Sequence, residues 1–278
     1  MKRIVWLTDI HLEMVPDTQQ FLAQVKAQAP DIVFITGDIA ERNLEDHLRA
    51  MVNAWQVPVY FVLGNHDYYH RTIATVRSAL TDLHDQAVLL HWLPRAGVVA
   101  LTSTAGVVGH GGWSDGRYGD YERSSVTLQD YQYIQDLQML SKAERIVRLH
   151  ALADESAEFL RATLPTALDR FSRLFVLTHS PPFREATWYQ DQIPLDDNEY
   201  LPHFSCKAVG DVLLDLVPGY PNCDVTVLCG HTHWGGEARI LDNLLVITGQ
   251  AEYGSPAIQR IFTLNDGDTS GFDSDRKP

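Results

Sequence analysis

Imidazole and carboxylate side chains recur at short spacings at five places along this 278-residue sequence. Divalent transition metals bind imidazole nitrogens and carboxylate or carbonyl oxygens. Two metals about 3.5–4 Å apart also need a ligand that bridges them. The candidate ligands are Asp9, His11, Asp38, Asn65, His179, His231 and His233. No cysteine is among them, so they predict a two-metal centre rather than a closed thiolate zinc site.

Five apolar runs are the elements that must position these side chains. Each run is rich in β-branched and aromatic residues, which is typical of a buried strand, and each ends directly at candidate ligands. The runs are 3–8, 31–36, 59–63, 173–178 and 224–229. Segments with helical spacing separate the first three runs, so the chain begins as alternating strands and helices. Ligands bind α/β sheets beyond the carboxyl ends of the strands, and we therefore expect the five clusters to share one crevice.

The rest of the chain is predicted to complete a single domain over residues 1–264. Residues 237–248 predict two strands around a hairpin turn at Asp242-Asn243. Two long irregular segments, 103–125 and 180–204, are expected to form the walls of the crevice. Residues 126–164 are predicted to form two helices, so that a loop and helical insertion covers about 103–164. Residues 265–278 are predicted to be a mobile tail.

The composition excludes several classes of protein. With 45% hydrophobic and 21% charged residues, it is that of an ordinary globular chain. A net charge of −14 argues against a surface that holds long nucleic acid, although bound cations would still permit a small phosphorylated substrate. No apolar run reaches the roughly 18 residues of a membrane span, and the start lacks a full signal-peptide core, so we expect a cytoplasmic location. The sequence predicts no particular oligomeric state.

Five motifs, in this order and at strand ends, resemble the calcineurin-like metallophosphoesterase family. They are Asp9-x-His11, Gly37-Asp38 with Glu41-Arg42, Gly64-Asn65-His66-Asp67, His179, and Gly230-His231-x-His233. The resemblance covers roughly residues 1–248, and its specificity lies in the combination of motifs. It implies an α/β fold, a four-layer αββα sandwich of two mixed sheets. It also implies two divalent metal ions, Mn, Fe or Zn, at the strand ends.

The resemblance also implies a role for each motif residue. One metal would be held by Asp9, His11, Asp38 and His233. The other would be held by Asp38, Asn65, His179 and His231, with Asp38 as the bridge. His66 would face the substrate, where it would protonate the leaving oxygen or stabilise charge on the phosphoryl group. Because such enzymes often have Asp-Arg where this sequence has Glu41-Arg42, the roles of these two residues stay open.

These residues predict a metal-dependent phosphoesterase with Asp38 and His66 as catalytic residues. A metal-bridging hydroxide would attack a small phosphodiester or phosphomonoester directly, without a phosphoenzyme. A proton donor such as His66 matters most for poor leaving groups, which favours a phosphodiester. Two alternatives are a metal-binding scaffold of the same fold that acts as an interaction module, and a nuclease.

Several further residues have both a functional and a structural interpretation. The candidate substrate contacts are Arg42, Trp113, Arg117, Trp188 and Tyr189. The alternative roles are a salt-bridged surface turn for Arg117 and anchoring of the loops against the core for the aromatic residues. Asp67 would either cap the next helix or orient His66. Among the histidines outside the motifs, His110 and His203 lie in segments that flank the predicted crevice.

Overall fold

This computed structural model describes residues 1–265, which contain eleven strands and seven α-helices. The strands are β1 (Lys2–Leu7), β2 (Ile32–Thr36), β3 (Val59–Val62), β4 (Leu90–Trp92), β5 (Val99–Ala100), β6 (Ala105–Gly109), β7 (Arg173–Leu177), β8 (Asp224–Cys229), β9 (Gly236–Leu241), β10 (Leu244–Thr248) and β11 (Arg260–Leu264). The α-helices are α1 (Thr18–Ala27), α2 (Leu44–Trp55), α3 (Ile73–Gln86), α4 (Leu93–Ala96), α5 (Asp130–Tyr133), α6 (Lys142–Arg170) and α7 (Lys207–Leu216). Apart from Asn265, the predicted tail lies outside the described residues.

The strands of residues 1–265 form two mixed sheets. The first sheet has the order β11-β1-β2-β3-β4, with β1 to β4 parallel and β11 antiparallel to β1. The second has the order β5-β6-β7-β8-β10-β9, with a parallel centre and an antiparallel strand at each edge. The hairpin predicted around Asp242-Asn243 is confirmed as the pair β9 and β10.

Alternate residues of the central strands face different layers, as the period of a strand requires. Trp6 of β1, Phe34 of β2 and Phe175 of β7 belong to one apolar cluster, which contains strand residues from both sheets. The rings of Phe34 and Phe175 lie 5.4 Å apart, edge to face, so the two sheets pack against each other there. Val5 of β1 instead joins a cluster that contains helix residues such as Leu48 of α2. The predicted four-layer αββα sandwich is thus confirmed.

The segment predicted to be irregular from residue 103 contains a strand of the second sheet. Strand β6 pairs with β7 over five residues, and all five are buried. The prediction of an irregular segment was therefore wrong at these positions, because glycine at 106 and 109 weakens the strand signal. Gly106 is required by packing, since a Cβ at this position would overlap the ring of Phe171.

Helix α6 is longer than predicted and forms part of an outer layer. It begins with a capping box in which Ser141 and Glu144 bond to each other's backbone N–H groups, and it continues through Pro165 to Arg170. It packs against α7, and Leu160 and Leu164 on its inner face are fully buried. Among residues 1–265, no helix combines the length and the apolar character that a bilayer crossing requires.

Candidate metal centre

The side chains that follow β1, β2, β3, β7 and β8 meet in one place. Asp9, His11, Asp38 and His233 form one group, in which each residue offers a ligand atom within 4.8 Å of all the others. Asp38, His179 and His231 form a second group by the same measure. Asn65 belongs with the second group, because its Oδ1 lies 3.0 Å from Nε2 of His179. The structure therefore brings all the predicted ligands together.

The atoms of the first group are spaced as the ligands of one cation would be. Nε2 of His11 lies 3.2 Å from Nε2 of His233 and 3.8 Å from Oδ2 of Asp38. Nε2 of His233 lies 3.6 Å from Oδ1 of Asp9. Ligands about 2.1 Å from a tetrahedral metal lie about 3.4 Å from one another. The observed spacings fit this geometry.

Asp38 belongs to both groups through the same carboxylate oxygen. Its Oδ2 lies 3.4 Å from Nε2 of His179, which in turn lies 3.2 Å from Nδ1 of His231. The other oxygen, Oδ1, accepts a hydrogen bond of 2.9 Å from the backbone N–H of His66. This bond orients the carboxylate so that Oδ2 points between the two groups, which is where a bridging ligand must be.

The backbone turns sharply at most of these ligands. Five of them have left-handed φ values, namely 48° at Asp9, 40° at His11, 50° at Asp38, 72° at His231 and 62° at His233. A residue with a side chain adopts this conformation at a cost of about 1–3 kcal/mol, and such strain concentrates at functional sites. The strain is the consequence of turning several side chains from neighbouring strand ends toward one point.

Two glycines give the carboxylates the space that they occupy. A Cβ at Gly64 would overlap Oδ1 of Asp38, and a Cβ at Gly230 would overlap Oδ2 of Asp9. Because neither glycine has a side chain, each permits this close approach of a carboxylate to the backbone.

Backbone carbonyl groups fix the orientation of two ligand histidines. Nε2 of His231 lies 3.0 Å from the carbonyl oxygen of His203, and Nδ1 of His179 lies 2.9 Å from that of Thr36. A carbonyl oxygen only accepts, so each of these nitrogens carries the proton and the other ring nitrogen is left for a metal. His203, which the sequence placed beside the crevice, acts here through its backbone.

His66 lies beside the ligands and pairs with Glu41. Its Nδ1 is 2.9 Å from Oε1 of Glu41, and its ring stacks on Tyr69 with centroids 4.3 Å apart. Burial alone would lower the pKa of His66, but Asp38 and Glu41 outweigh this effect and raise the pKa to about 9. The charges of Asp38 and Glu41 thus favour the protonated form of His66.

Asp67 has neither of the two roles predicted for it. Its Oδ1 accepts from the backbone N–H groups of Ile39 and Ala40 at 2.7 and 3.0 Å, and its Oδ2 accepts from that of Gly64 at 2.8 Å. Asp67 therefore ties the loop after β2 to the loop after β3, which carry Asp38 and Asn65.

Asp130 and Tyr253 were missed by the sequence reasoning. Oδ1 of Asp130 accepts hydrogen bonds of 2.8 Å from Nδ2 of Asn65 and 2.6 Å from the hydroxyl of Tyr69. The ring of Tyr253 lies 4.7 Å from those of both His11 and His233. Asp130 follows no strand, so no local signal marked it. Tyr253 lies just beyond β10, which is parallel to β8 and thus ends at the same edge.

The predicted substrate contacts lie at different distances from the metal ligands. Trp113 lines a small cavity together with Asn65, His179 and His231. Arg42 is exposed and lines a cavity of about 320 Å³ with Glu41 and Tyr69 beside His66. Trp113 is thus adjacent to the predicted ligands, whereas Arg42 lies beside the residues that contact His66.

The other three predicted contacts are held by neighbouring residues. Arg117 is ion-paired with Asp115 at 3.0 Å and Asp154 at 2.7 Å, so the structure does not bring its guanidinium to the ligands. Trp188 packs against Gly236, where it leaves no space for a Cβ.

Tyr189 reaches the cluster only through a second ring. It lies 5.1 Å from the ring of Phe204, which lies 5.9 Å from that of His231.

Comparison with known proteins agrees with this geometry. Residues 2–235 match the model of the calcineurin-like phosphoesterase family, and the chain belongs to that family. A dimetal phosphatase from Danio rerio has the same fold, with a TM-score of 0.58 at 14% identity over 92% of this chain and 89% of that one.

Two curated bacterial relatives match a shorter part of the chain. The uncharacterized protein YpbG of Bacillus subtilis is 34% identical over 70 residues, which are 23% of this chain and 26% of that protein. The uncharacterized metallophosphoesterase Cj0846 of Campylobacter jejuni is 36% identical over 77 residues, or 24% and 20% of the two chains. The chain thus spans about a quarter or less of these relatives.

Proposed function

We propose that this protein is a binuclear metal-dependent phosphoesterase that hydrolyses a small phosphodiester or phosphomonoester by direct attack of water. The observation that carries the proposal is the position of Oδ2 of Asp38, 3.8 Å from Nε2 of His11 and 3.4 Å from Nε2 of His179. One carboxylate oxygen thereby serves two groups of ligands. A closed structural site for a single ion would have no use for the second group.

The donor atoms fit two divalent cations such as Mn, Fe or Zn. The first would be held by Asp9, His11, Asp38 and His233, and the second by Asp38, Asn65, His179 and His231. Asp9 and Asp38 are each only 1% exposed, and buried carboxylates need cationic partners. When bound, a pair of divalent cations activates water at neutral pH and neutralises charge on phosphoryl oxygens.

His66 is proposed to protonate the leaving oxygen of the ester. Its Nδ1 faces Glu41, so Nε2 is the atom that can give a proton to the substrate. Glu41 would hold the imidazole in one orientation, as a carboxylate does for a catalytic histidine. Tyr69 restricts the ring further, because the two rings stack at 4.3 Å. The acid is therefore held in place before substrate binds.

The side chains around the cluster are proposed to contact the rest of the substrate. Trp113 lines a cavity together with three of the ligands, and Arg42 lines the cavity beside Glu41. Tyr189 approaches the ligands through Phe204. Arg117 and Trp188 are proposed to support the walls of the crevice, since Arg117 has two ion pairs and Trp188 packs on Gly236.

The net charge of the protein supports a small substrate, and the pairing of its first sheet supports a single catalytic domain. A net charge of −14 opposes binding along many phosphates of a nucleic acid. Strand β11 completes the first sheet by pairing with β1, which supports a single catalytic domain over residues 1–264. A cytoplasmic location stays a prediction.

A screen of phosphate esters tests the proposal. The metal-free protein is loaded with Mn²⁺, Fe²⁺ or Zn²⁺ and assayed against aryl and natural mono- and diesters, with Asp38→Asn as the control. We expect turnover of at least one small ester by the metal-loaded wild type and none by the variant. A protein that binds two metals and hydrolyses no ester of the panel would contradict the proposal.

A further inference from the structure

Tyr253 is the outermost aromatic residue over the first group of ligands. Its ring centroid lies 4.7 Å from those of His11 and His233 and 6.4 Å from that of His66. Tyr253 is 51% exposed, whereas His11 and His66 beneath it are 1% and 8% exposed. Tyr253 is therefore the most exposed of these four rings.

The loop that carries Tyr253 is fixed to the metal-ligand loop. The backbone N–H of Ala251 donates to the carbonyl of His233 at 3.1 Å. The side chain of Gln259 accepts from the backbone N–H of Gln250 at 2.9 Å and donates to its carbonyl at 2.8 Å. Gly254 then turns the chain at a φ of 77°. The loop thus holds Tyr253 in place by bonds that do not involve the tyrosine side chain.

The hydroxyl of Tyr253 makes no hydrogen bond to any of residues 1–265, in contrast to that of Tyr69, which donates to Asp130. A phenylalanine ring would pack on the imidazole rings equally well, so this packing does not explain why the residue carries a hydroxyl. A phenol is a neutral donor at physiological pH, and an oxyanion is the acceptor with which it forms its strongest bonds. The chemistry of the residue therefore matches a phosphoryl group.

We propose that Tyr253 is a substrate-contacting residue whose hydroxyl donates a hydrogen bond to a non-bridging phosphoryl oxygen. The ester would lie over His11, His66 and His233, the three rings that surround the tyrosine. This inference rests on the proposed phosphoesterase function and adds to it a donor from outside the five motifs. The contact stabilises charge on the phosphoryl group without contributing to metal binding.

Three variants test the contact. Tyr253→Phe removes only the hydroxyl, Tyr253→Ala removes the ring as well, and Tyr220→Phe is a matched control in the connection between α7 and β8. A hydrogen bond to a charged group predicts a loss of about 10- to 100-fold in kcat/KM for Tyr253→Phe, at unchanged Mn²⁺ content. Tyr253→Ala should lose at least as much, and the control should keep the wild-type value.

Binding of inorganic phosphate to the Mn²⁺-loaded protein provides a readout that needs no turnover. We expect Tyr253→Phe to weaken phosphate binding about tenfold relative to the wild type and the control, a typical loss for one such bond. If the wild type hydrolyses no ester but Tyr253→Phe still binds phosphate more weakly, the contact is supported and the proposed reaction is refuted. Wild-type kcat/KM and phosphate affinity in Tyr253→Phe would overturn the contact.

Discussion

Replacement of Asp130 should weaken the proposed second metal site, although Asp130 is not among the seven proposed ligands. Its Oδ1 accepts from Nδ2 of Asn65 at 2.8 Å and from the hydroxyl of Tyr69 at 2.6 Å, and Asp130 is only 5% exposed. The bond to Nδ2 turns the amide of Asn65 so that its Oδ1 faces His179. Without this bond, the amide is free to rotate its oxygen away from the metal.

The size of the effect follows from the two buried bonds. Substitution of a residue that orients a metal ligand typically reduces metal affinity about 10- to 100-fold, equivalent to about 1.4–2.7 kcal/mol. A buried donor left without a partner costs about 1–3 kcal/mol, which is the same range. We therefore expect Asp130→Ala to bind the second equivalent of Mn²⁺ about 10- to 100-fold more weakly and the first with little change.

Titration calorimetry with Mn²⁺ on the metal-free protein measures both equivalents. Asp130→Asn keeps an acceptor oxygen but loses the charge, so it separates the hydrogen bond from electrostatic attraction and should lose less affinity than the alanine variant. Asp136→Ala is the control, because Asp136 accepts from the backbone N–H of Ile73 and from Arg148, away from the ligands. The reasoning is refuted if Asp130→Ala binds the second equivalent like the wild type, or no worse than Asp136→Ala.

Three further predictions concern the bridge, a buried histidine and the crevice wall. Asp38→Asn should lose metal and activity together, while His66→Ala should keep both metals and lose mainly kcat; metal loss in His66→Ala would refute these roles. Burial and the nearby charge of Arg77 lower the pKa of His110 to about 4, against a smaller opposing effect of Glu155. Between about pH 6.5 and 4, this proton is therefore bound by the unfolded chain but not by the folded protein. In urea unfolding of the metal-free protein, the free energy of unfolding should therefore decrease as the pH falls through this window. The decrease should be up to about 3 kcal/mol larger than in His110→Gln. An equal pH dependence in the two proteins would contradict this prediction. Trp113→Ala should change the ranking of esters by kcat/KM at constant metal content; an unchanged ranking would assign Trp113 to the core.

The grouping of the candidate ligands could be predicted from the sequence, because each of them comes shortly after an apolar run that is typical of a buried strand. Asp9 and Asp38 each come two residues after the last residue of their strands, β1 and β2, and parallel strands end at the same edge of a sheet. Strand β6 could not be predicted, because its glycines are required by close packing, of Gly106 against Phe171 and of Gly109 against Leu177, rather than by strand propensity.

The residues that support the ligands depend on contacts between distant parts of the chain. Asp130 reaches Asn65 across 65 positions of sequence, and Glu41 reaches His66 across 25. No spacing or propensity encodes such a pairing. These pairs can therefore be identified only from the folded structure, in which the layers are packed together.

The dependence of turnover on metal content tests the central claim most directly. Metal-free protein is titrated with Mn²⁺, and the rate of hydrolysis of the best ester from the screen is measured at each ratio of metal to chain. We predict that activity rises mainly between the first and the second equivalent and then stays constant. Full activity at one equivalent, or no activity when two are bound, would contradict a binuclear phosphoesterase.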